Sequence, residues 1–182
     1  MLPQDDHIYL DILKKQPNCC FWFIHGLRNS ISSIFKERIS KLFQNYDLSF
    51  NEYSIFHPRC AKDEYLGLIE QSDIILDSLN WSGGNTSLEA ISLNKPIVTC
   101  PSEFLKGRVT YSILKKLNIE ETIASSKKEY IEIAVKIAGD INFRNSIVNK
   151  IKKHKNKLFN DDKPVRFLED MIRKIIGAGE GN

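Results

Sequence analysis

Asp73-Ile74-Ile75-Leu76-Asp77-Ser78-Leu79-Asn80-Trp81-Ser82-Gly83-Gly84-Asn85-Thr86-Ser87-Leu88-Glu89-Ala90 reads as a short apolar strand, a loop with two adjacent glycines, and the start of a helix. In open parallel sheets, ligands sit beyond the carboxyl ends of the strands, so a glycine-rich loop in that place marks a binding turn. A helix N-terminus leaves its first N–H groups unpaired and carries partial positive charge, and Gly83 and Gly84 clear the side chains that would block an anion. Asn85, Thr86 and Ser87 add side-chain donors. The same residues also suit a plain helix cap, with Glu89 three positions after Thr86 completing a capping box; local chemistry alone weighs cap and phosphate turn evenly. Glu89 equally suits the ribose hydroxyls of a nucleotide.

Outward from this stretch, short runs of β-formers alternate with segments of helical spacing, the pattern of a parallel α/β sheet. The strand candidates are Cys19 to Ile24, Glu52 to Phe56, Asp73 to Asp77 and Pro96 to Cys100, with Glu121 to Ala124 as a weaker fifth. Their near-continuous hydrophobicity predicts strands covered on both faces. Helices are expected over His7 to Lys15, Ser30 to Asn45, Lys62 to Gln71, Thr86 to Leu93, Gly107 to Leu117, from Ser126 with Glu129 as a capping box, over Phe143 to Lys157, and from Pro164 to Ile176. The fold class is α/β: a single Rossmann-like doubly wound parallel sheet over residues 1–176, with 177–182 as a disordered tail.

Of the 182 residues, 42% are hydrophobic and 27% charged, the balance of a soluble globular domain. The net charge of +3 gathers at Lys150, Lys152, Lys153, Lys155 and Lys157, which reads as a solvated helix face, since no aromatics alternate with those lysines as a nucleic-acid surface would want. The cysteines Cys19, Cys20, Cys60 and Cys100 form no CxxC pair, and no DxD-like or His/Cys cluster suggests a metal. Cys19 to Ile24, the longest apolar run, falls far short of the ~20 residues of a membrane span, and no signal peptide opens the chain, so a cytoplasmic protein is expected. Neither GxxxxGK[ST] nor a GxGxxG after the first strand is present, which disfavours ATPases and NAD enzymes.

From Phe56 to about Glu169 the chain resembles the C-terminal donor-binding domain of the O-linked N-acetylglucosamine transferase and SPINDLY-like glycosyltransferases. The residues that carry the resemblance are His57-Pro58-Arg59, Asp63-Glu64-Tyr65-Leu66-Gly67-Leu68, Ser72 to Asp77 leading into Gly83 to Ala90, Lys95-Pro96-Ile97-Val98-Thr99, Gly107-Arg108-Val109-Thr110 and Glu129-Tyr130 with Ile133-Ala134-Val135. That resemblance implies one half of a GT-B fold that binds a UDP-sugar without a metal or other cofactor. It places Gly83, Gly84, Asn85, Thr86 and Ser87 at the diphosphate, Glu89 at the ribose, Cys60, Lys62 and Tyr65 at the uracil, and Gln4 near the phosphates. Tyr65 also suits core packing, because it shares a helix face with Ile69. Arg108 suits either charge neutralisation or bracing of Asp77 or Glu103. Two departures stand out: animal members have histidine at the positions of Tyr65 and Gly84, and the lysine that the family sets between the glutamine and the first helix has no counterpart between Gln4 and His7.

The resemblance further implies transfer of N-acetylglucosamine or another hexose to protein Ser or Thr, with the acceptor held by a facing N-terminal domain. The alternative is a non-catalytic nucleotide-sugar-binding or assembly module. His7, His25, His57 and His154 give no assignable catalytic base. The stripe of Val165, Leu168, Met171 and Ile172 on the last helix suggests a homodimer.

Overall fold

Phe21 and Phe23, alternate residues of the first strand, organise the first half of the molecule. In the computed structural model, which describes residues 2–26, 29–159 and 161–179, β1 (Phe21–Ile24) runs parallel to β2 (Ser54–His57), with Phe21 opposite Ser54 and Ile24 opposite His57. Phe23 stacks on Phe56 at 5.0 Å between ring centroids and meets Tyr9, Phe35 and Phe50 at edges and tilts. Helices α1 (His7–Lys15) and α2 (Asn29–Gln44) supply Leu10, Ile39 and Phe43 to this core. Each buried side chain of this size contributes on the order of 1.5–3 kcal/mol. The start of α1 is tied to α2 by a two-pronged pairing of Arg38 with the buried Asp6 at 2.5 and 2.9 Å.

The second half is aliphatic. β3 (Ile75–Leu76) and β4 (Ile97–Val98) pair in parallel, Ile75 opposite Ile97 and Leu76 opposite Val98. Because successive strand residues face opposite ways, Ile97 enters a core formed by α3 (Lys62–Gln71), α4 (Asn85–Ser92), α5 (Val109–Lys116) and α7 (Ile141–His154). Val98 faces the aromatic core with α6 (Lys127–Gly139). Asn94 and Asn118, at φ of 60° and 56°, close α4 and α5; asparagine tolerates that left-handed turn.

The expected single sheet is met only in part: among the described residues the strands form two two-stranded parallel sheets. A cleft of about 460 Å³, lined by Tyr9, Phe21, Phe23, Ile74, Leu76 and Ala134 among others, separates β1 from β3. The halves join instead through α1 packed on α6. The weak fifth strand is reduced to one bridge, Thr99 with Ile123. Cover on both faces holds for β3 and β4 but not for β1 and β2, where Trp22, Ile24 and Ile55 stay exposed. The final helix, α8 (Lys163–Gly179), runs three residues past the expected end at Ile176, so 177–179 are helical and 180–182 lie outside the described residues.

Candidate functional site

Asp77 directly follows β3 with only 7% of its surface exposed and would be costly to bury without partners. It has several. One carboxylate oxygen accepts the Thr99 hydroxyl at 2.6 Å and the Ser82 hydroxyl at 2.8 Å; the other accepts the Gly83 N–H at 2.8 Å. Ser82 also accepts the Thr110 N–H at 2.9 Å, and the Ser87 and Thr110 hydroxyls lie 2.7 Å apart. From below, the Tyr130 hydroxyl donates to the Asp77 carbonyl at 3.0 Å. Burial pushes the Tyr130 phenol well above its ordinary range, with Tyr9 and then Asp77 adding to the effect, so it stays a donor. A second tie, Ser82 N–H to the Lys106 carbonyl at 2.8 Å, fastens the loop after β3 to the loop after β4. Position 107 must be glycine for that approach, because a Cβ there would stand 2.9 Å from Ser102 Cβ and 3.3 Å from Asn80 Cα.

The network fixes which groups of the turn are engaged and which are bare. Gly83 N–H belongs to Asp77, and a side chain at Gly83 would press on Ser87 Oγ at 2.5 Å and Thr86 Oγ1 at 2.7 Å. Ser87 is buried on Thr110, so it positions the turn from beneath. Gly84 caps α4 without any side-chain cap, Asn85 is its first residue, and Thr86 and Glu89 form no capping box. Among the described residues the N–H groups of Gly84, Asn85 and Thr86 meet no acceptor, and all three residues are exposed. Bare N–H groups at a helix start make an anion seat. No side chain caps α4, so of the two readings that local sequence chemistry left open the side-chain cap is not formed.

Beside the turn, Tyr65 of α3 is half-buried and packs against the aliphatic core. Burial raises its phenol, and the charges of Glu89 and then Cys60 add to the effect. Lys62 is exposed on the first turn of the same helix, whose start is closed by the Glu64 carboxylate accepting Ala61 N–H at 3.1 Å. Of the two readings of Tyr65, the core packing is met.

Arg108 braces neither Asp77 nor Glu103. Its guanidinium donates to the Ser102 carbonyl at 3.0 Å and lies 4.7 Å from the Tyr111 ring, because the partners of Asp77 are already supplied by Ser82, Gly83 and Thr99. Gln4 is exposed, and its carbonyl accepts Lys127 Nζ at 3.1 Å while Asp5 pairs with the same ammonium at 2.7 Å. Asp5 lines one small hollow with Asp77, Ser78, Leu79 and Tyr130, which brings the N-terminal segment against the loop after β3. Lys127, whose contact with the N-terminal segment was not foreseen in the sequence, is the first residue of α6, directly after the capping Ser126.

A profile described as Glycosyl transferase family 41 matches residues 2–166. The chain belongs to that family. A UDP-N-acetylglucosamine--peptide N-acetylglucosaminyltransferase of Caenorhabditis elegans is 23% identical over 175 residues, covering 95% of this chain and 15% of that protein. A probable UDP-N-acetylglucosamine--peptide N-acetylglucosaminyltransferase SPINDLY of Solanum lycopersicum is 22% identical over 166 residues, 90% of this chain and 16% of that protein. In fold, the chain superimposes on a Thermobaculum terrenum O-GlcNAc transferase carrying the K341M mutation with a TM-score of 0.81 at 22% identity, covering 96% of this chain and 33% of that one. The family 41 chain described here therefore spans about a sixth of these curated relatives' length and a third of the structural relative.

In this family 41 fold, His57 ends β2 and His25 directly follows β1, joined by His25 N–H to the His57 carbonyl at 2.9 Å. Their rings lie against Phe56 and Trp22, at 5.8 and 5.2 Å between centroids. No helix among the described residues is long and apolar enough to cross a membrane.

Proposed function

We propose that this chain binds the UDP-sugar donor of a glycosyltransferase that transfers N-acetylglucosamine or a related hexose to protein hydroxyls. The observation that carries the reading is the row of bare N–H groups at Gly84, Asn85 and Thr86, held over the buried Asp77 network at the start of α4. Glycosyl transfer needs charge stabilisation where the diphosphate departs, and preorganised N–H groups at a helix N-terminus supply it without reorganisation. In this reading Tyr65, Cys60 and Lys62 take the uracil and Glu89 the ribose, as the resemblance to the family implies. The names of the worm and tomato relatives, both N-acetylglucosaminyltransferases, support N-acetylglucosamine as the first sugar to test.

Acceptor contacts and the base belong, in this proposal, to a facing domain outside these 182 residues, and the site works in the cytoplasm without a metal. Titration calorimetry of UDP tests it: binding with the same affinity in EDTA and in magnesium is expected. Absence of UDP binding overturns the donor reading, and a magnesium requirement overturns the metal-free site. The second reading, a nucleotide-sugar-binding module without catalysis, is favoured by the two strand-end histidines being packed on aromatic rings. Hydrolysis of UDP-N-acetylglucosamine by the purified chain would remove it.

A further inference from the structure

The cleft between β1 and β3 is walled by two bare strand edges. In a parallel strand, successive residues turn their N–H and C=O groups to opposite sides. Phe21 and His25 donate to the Tyr53 and His57 carbonyls at 2.8 and 2.9 Å, so Trp22 turns its own groups away from β2. Across the cleft, Ile75 and Asp77 donate to the Pro96 and Val98 carbonyls at 2.9 and 3.0 Å, so Ile74 and Leu76 turn theirs away from β4. Among the described residues, the N–H groups of Trp22, Ile74 and Leu76 meet no acceptor, and all three residues line the one cavity of about 460 Å³. Buried backbone groups are ordinarily paired. The deep lining is apolar: Tyr9 and Ile12 of α1 and Ala134 of α6 belong to the aromatic core on one side, and Ile75 to the aliphatic core on the other. Asn18, Cys20 and Gln71, exposed residues ahead of β1 and β3, mark the mouth, whereas the turn from Gly83 to Thr86 follows β3 at the opposite end.

We propose that this cleft is a second ligand site, for a neutral planar heteroaromatic molecule with hydrogen-bond donors and acceptors on two opposite edges. The inference stands apart from the donor reading above. A hydrocarbon in the cleft would leave the strand-edge groups of Trp22, Ile74 and Leu76 without partners, which a buried N–H or C=O tolerates poorly. A charged ligand would find no free counter-charge, since the one charged lining residue, Asp73, is paired with Arg144 at 3.4 Å. Strand-edge groups point along the direction in which neighbouring strands pair. A flat ring lying in that plane meets Trp22 with one edge and Ile74 and Leu76 with the other. Its two faces then rest on the apolar side chains of the α1 and α6 side and on Ile75. The volume falls within the range of small-molecule pockets and accepts a bicyclic ring system.

The chain has two tryptophans, so the exposed Trp81 replaced by phenylalanine leaves the Trp22 indole N–H as a single resonance in nitrogen-15 NMR. Quinazolinone and naphthalene, bicyclic probes of similar size with and without edge donors and acceptors, are titrated into the full chain carrying Trp81→Phe. Quinazolinone is expected to shift the Trp22 resonance saturably, and naphthalene to bind about tenfold more weakly or less. Excess UDP should leave the quinazolinone titration unchanged, because the turn lies at the other end of β3. Ala138, which lines the cleft from α6, is half-buried, so Ala138→Phe fills the cavity and should abolish the shift. Ala138→Leu, a smaller change that suits a helix, should weaken binding while the melting temperature holds. No saturable shift with quinazolinone overturns the site. Equal affinity for naphthalene overturns recognition by the strand edges. Displacement by UDP, or a quinazolinone titration unaltered in Ala138→Leu, places the probe outside the cleft and overturns the proposal as well.

Discussion

Asp77 accepts hydrogen bonds from the Ser82 hydroxyl, the Thr99 hydroxyl and the Gly83 N–H, and an amide cannot replace it there. Asp77→Asn keeps one accepting oxygen and turns an NH₂ toward groups that are themselves donors. Leaving a buried donor unsatisfied costs about 1–3 kcal/mol, so urea denaturation should register a loss of that size. The turn loses its anchor as well, and UDP affinity should fall about tenfold, roughly 1.4 kcal/mol. Wild-type stability and affinity in this variant would mean the network does not hold the turn. Gly83→Ala tests the same geometry from above: its Cβ meets Ser87 Oγ at 2.5 Å, and Ser87 is already engaged with Thr110, so weaker UDP binding is expected from calorimetry. The turn itself was legible from two glycines and three polar residues after an apolar run. Its support was not, because Thr99 and Thr110 lie 22 and 28 residues from the Asp77 and Ser82 groups they bind. Lys127 escaped for the same reason, since 123 residues separate it from Gln4.

Among elements, α1 and α3 fall on the limits that apolar spacing indicates, His7–Lys15 and Lys62–Gln71, because a helix closes its own hydrogen bonds and carries its limits locally. Strands β3 and β4 shrink to two residues each, because a strand is only as long as its partner allows and that partner is remote in sequence. The cap of α6 was written locally. Ser126 accepts the Glu129 N–H at 3.2 Å, and the Glu129 carboxylate returns to Ser125 N–H at 2.7 Å. Ser126→Ala should cost about 1 kcal/mol in thermal or urea unfolding. Glu129 is held below the usual carboxylate range by the Ser125 hydroxyl first and its N–H second. In Asp161, the Lys116 hydrogen bond does the same; in Glu121, burial is the largest influence and pushes upward, but the Lys150 hydrogen bond and charge and the Glu121 and Glu120 backbone N–H groups together outweigh it. A depressed carboxylate stabilises the fold above its unfolded pKa, and that contribution is lost as pH falls through the folded value. Stability should therefore be flat from about pH 7 to 5 and decline below about pH 4. Glu129→Gln should soften that decline in urea midpoints measured from pH 5 to 2.5, and an identical acid slope would exclude Glu129 as a contributor.

At the scale of the molecule, apolar surface is distributed unevenly. The β3–β4 sheet is covered on both faces, whereas the stripe of α8 foreseen from its spacing, Val165, Leu168, Met171, Ile172 and Ile175, lies wholly exposed together with Phe167 and Ile176. A helix that buries no face gains little from tertiary packing, which is where most helical stability in proteins arises. A contiguous apolar stripe of this length is also larger than isolated soluble chains ordinarily present to water. Pairing of two chains along α8 would cover the stripe on both, and the flanking Arg166, Glu169, Asp170, Arg173 and Lys174 supply both signs of charge for an antiparallel contact. Sedimentation of the purified chain should therefore show self-association that rises with concentration. The double variant Leu168→Glu, Ile172→Glu should sediment as a monomer with an unchanged melting temperature at low concentration, because both residues contact water and not the core. Its UDP affinity should also match wild type, since α8 contributes no residue to the turn. A wild-type chain that stays monomeric at hundreds of micromolar would rule out the pairing, and an unchanged oligomer in the double variant would place the contact elsewhere, with the bare Trp22, Ile24 and Ile55 face of the first sheet next to be tested.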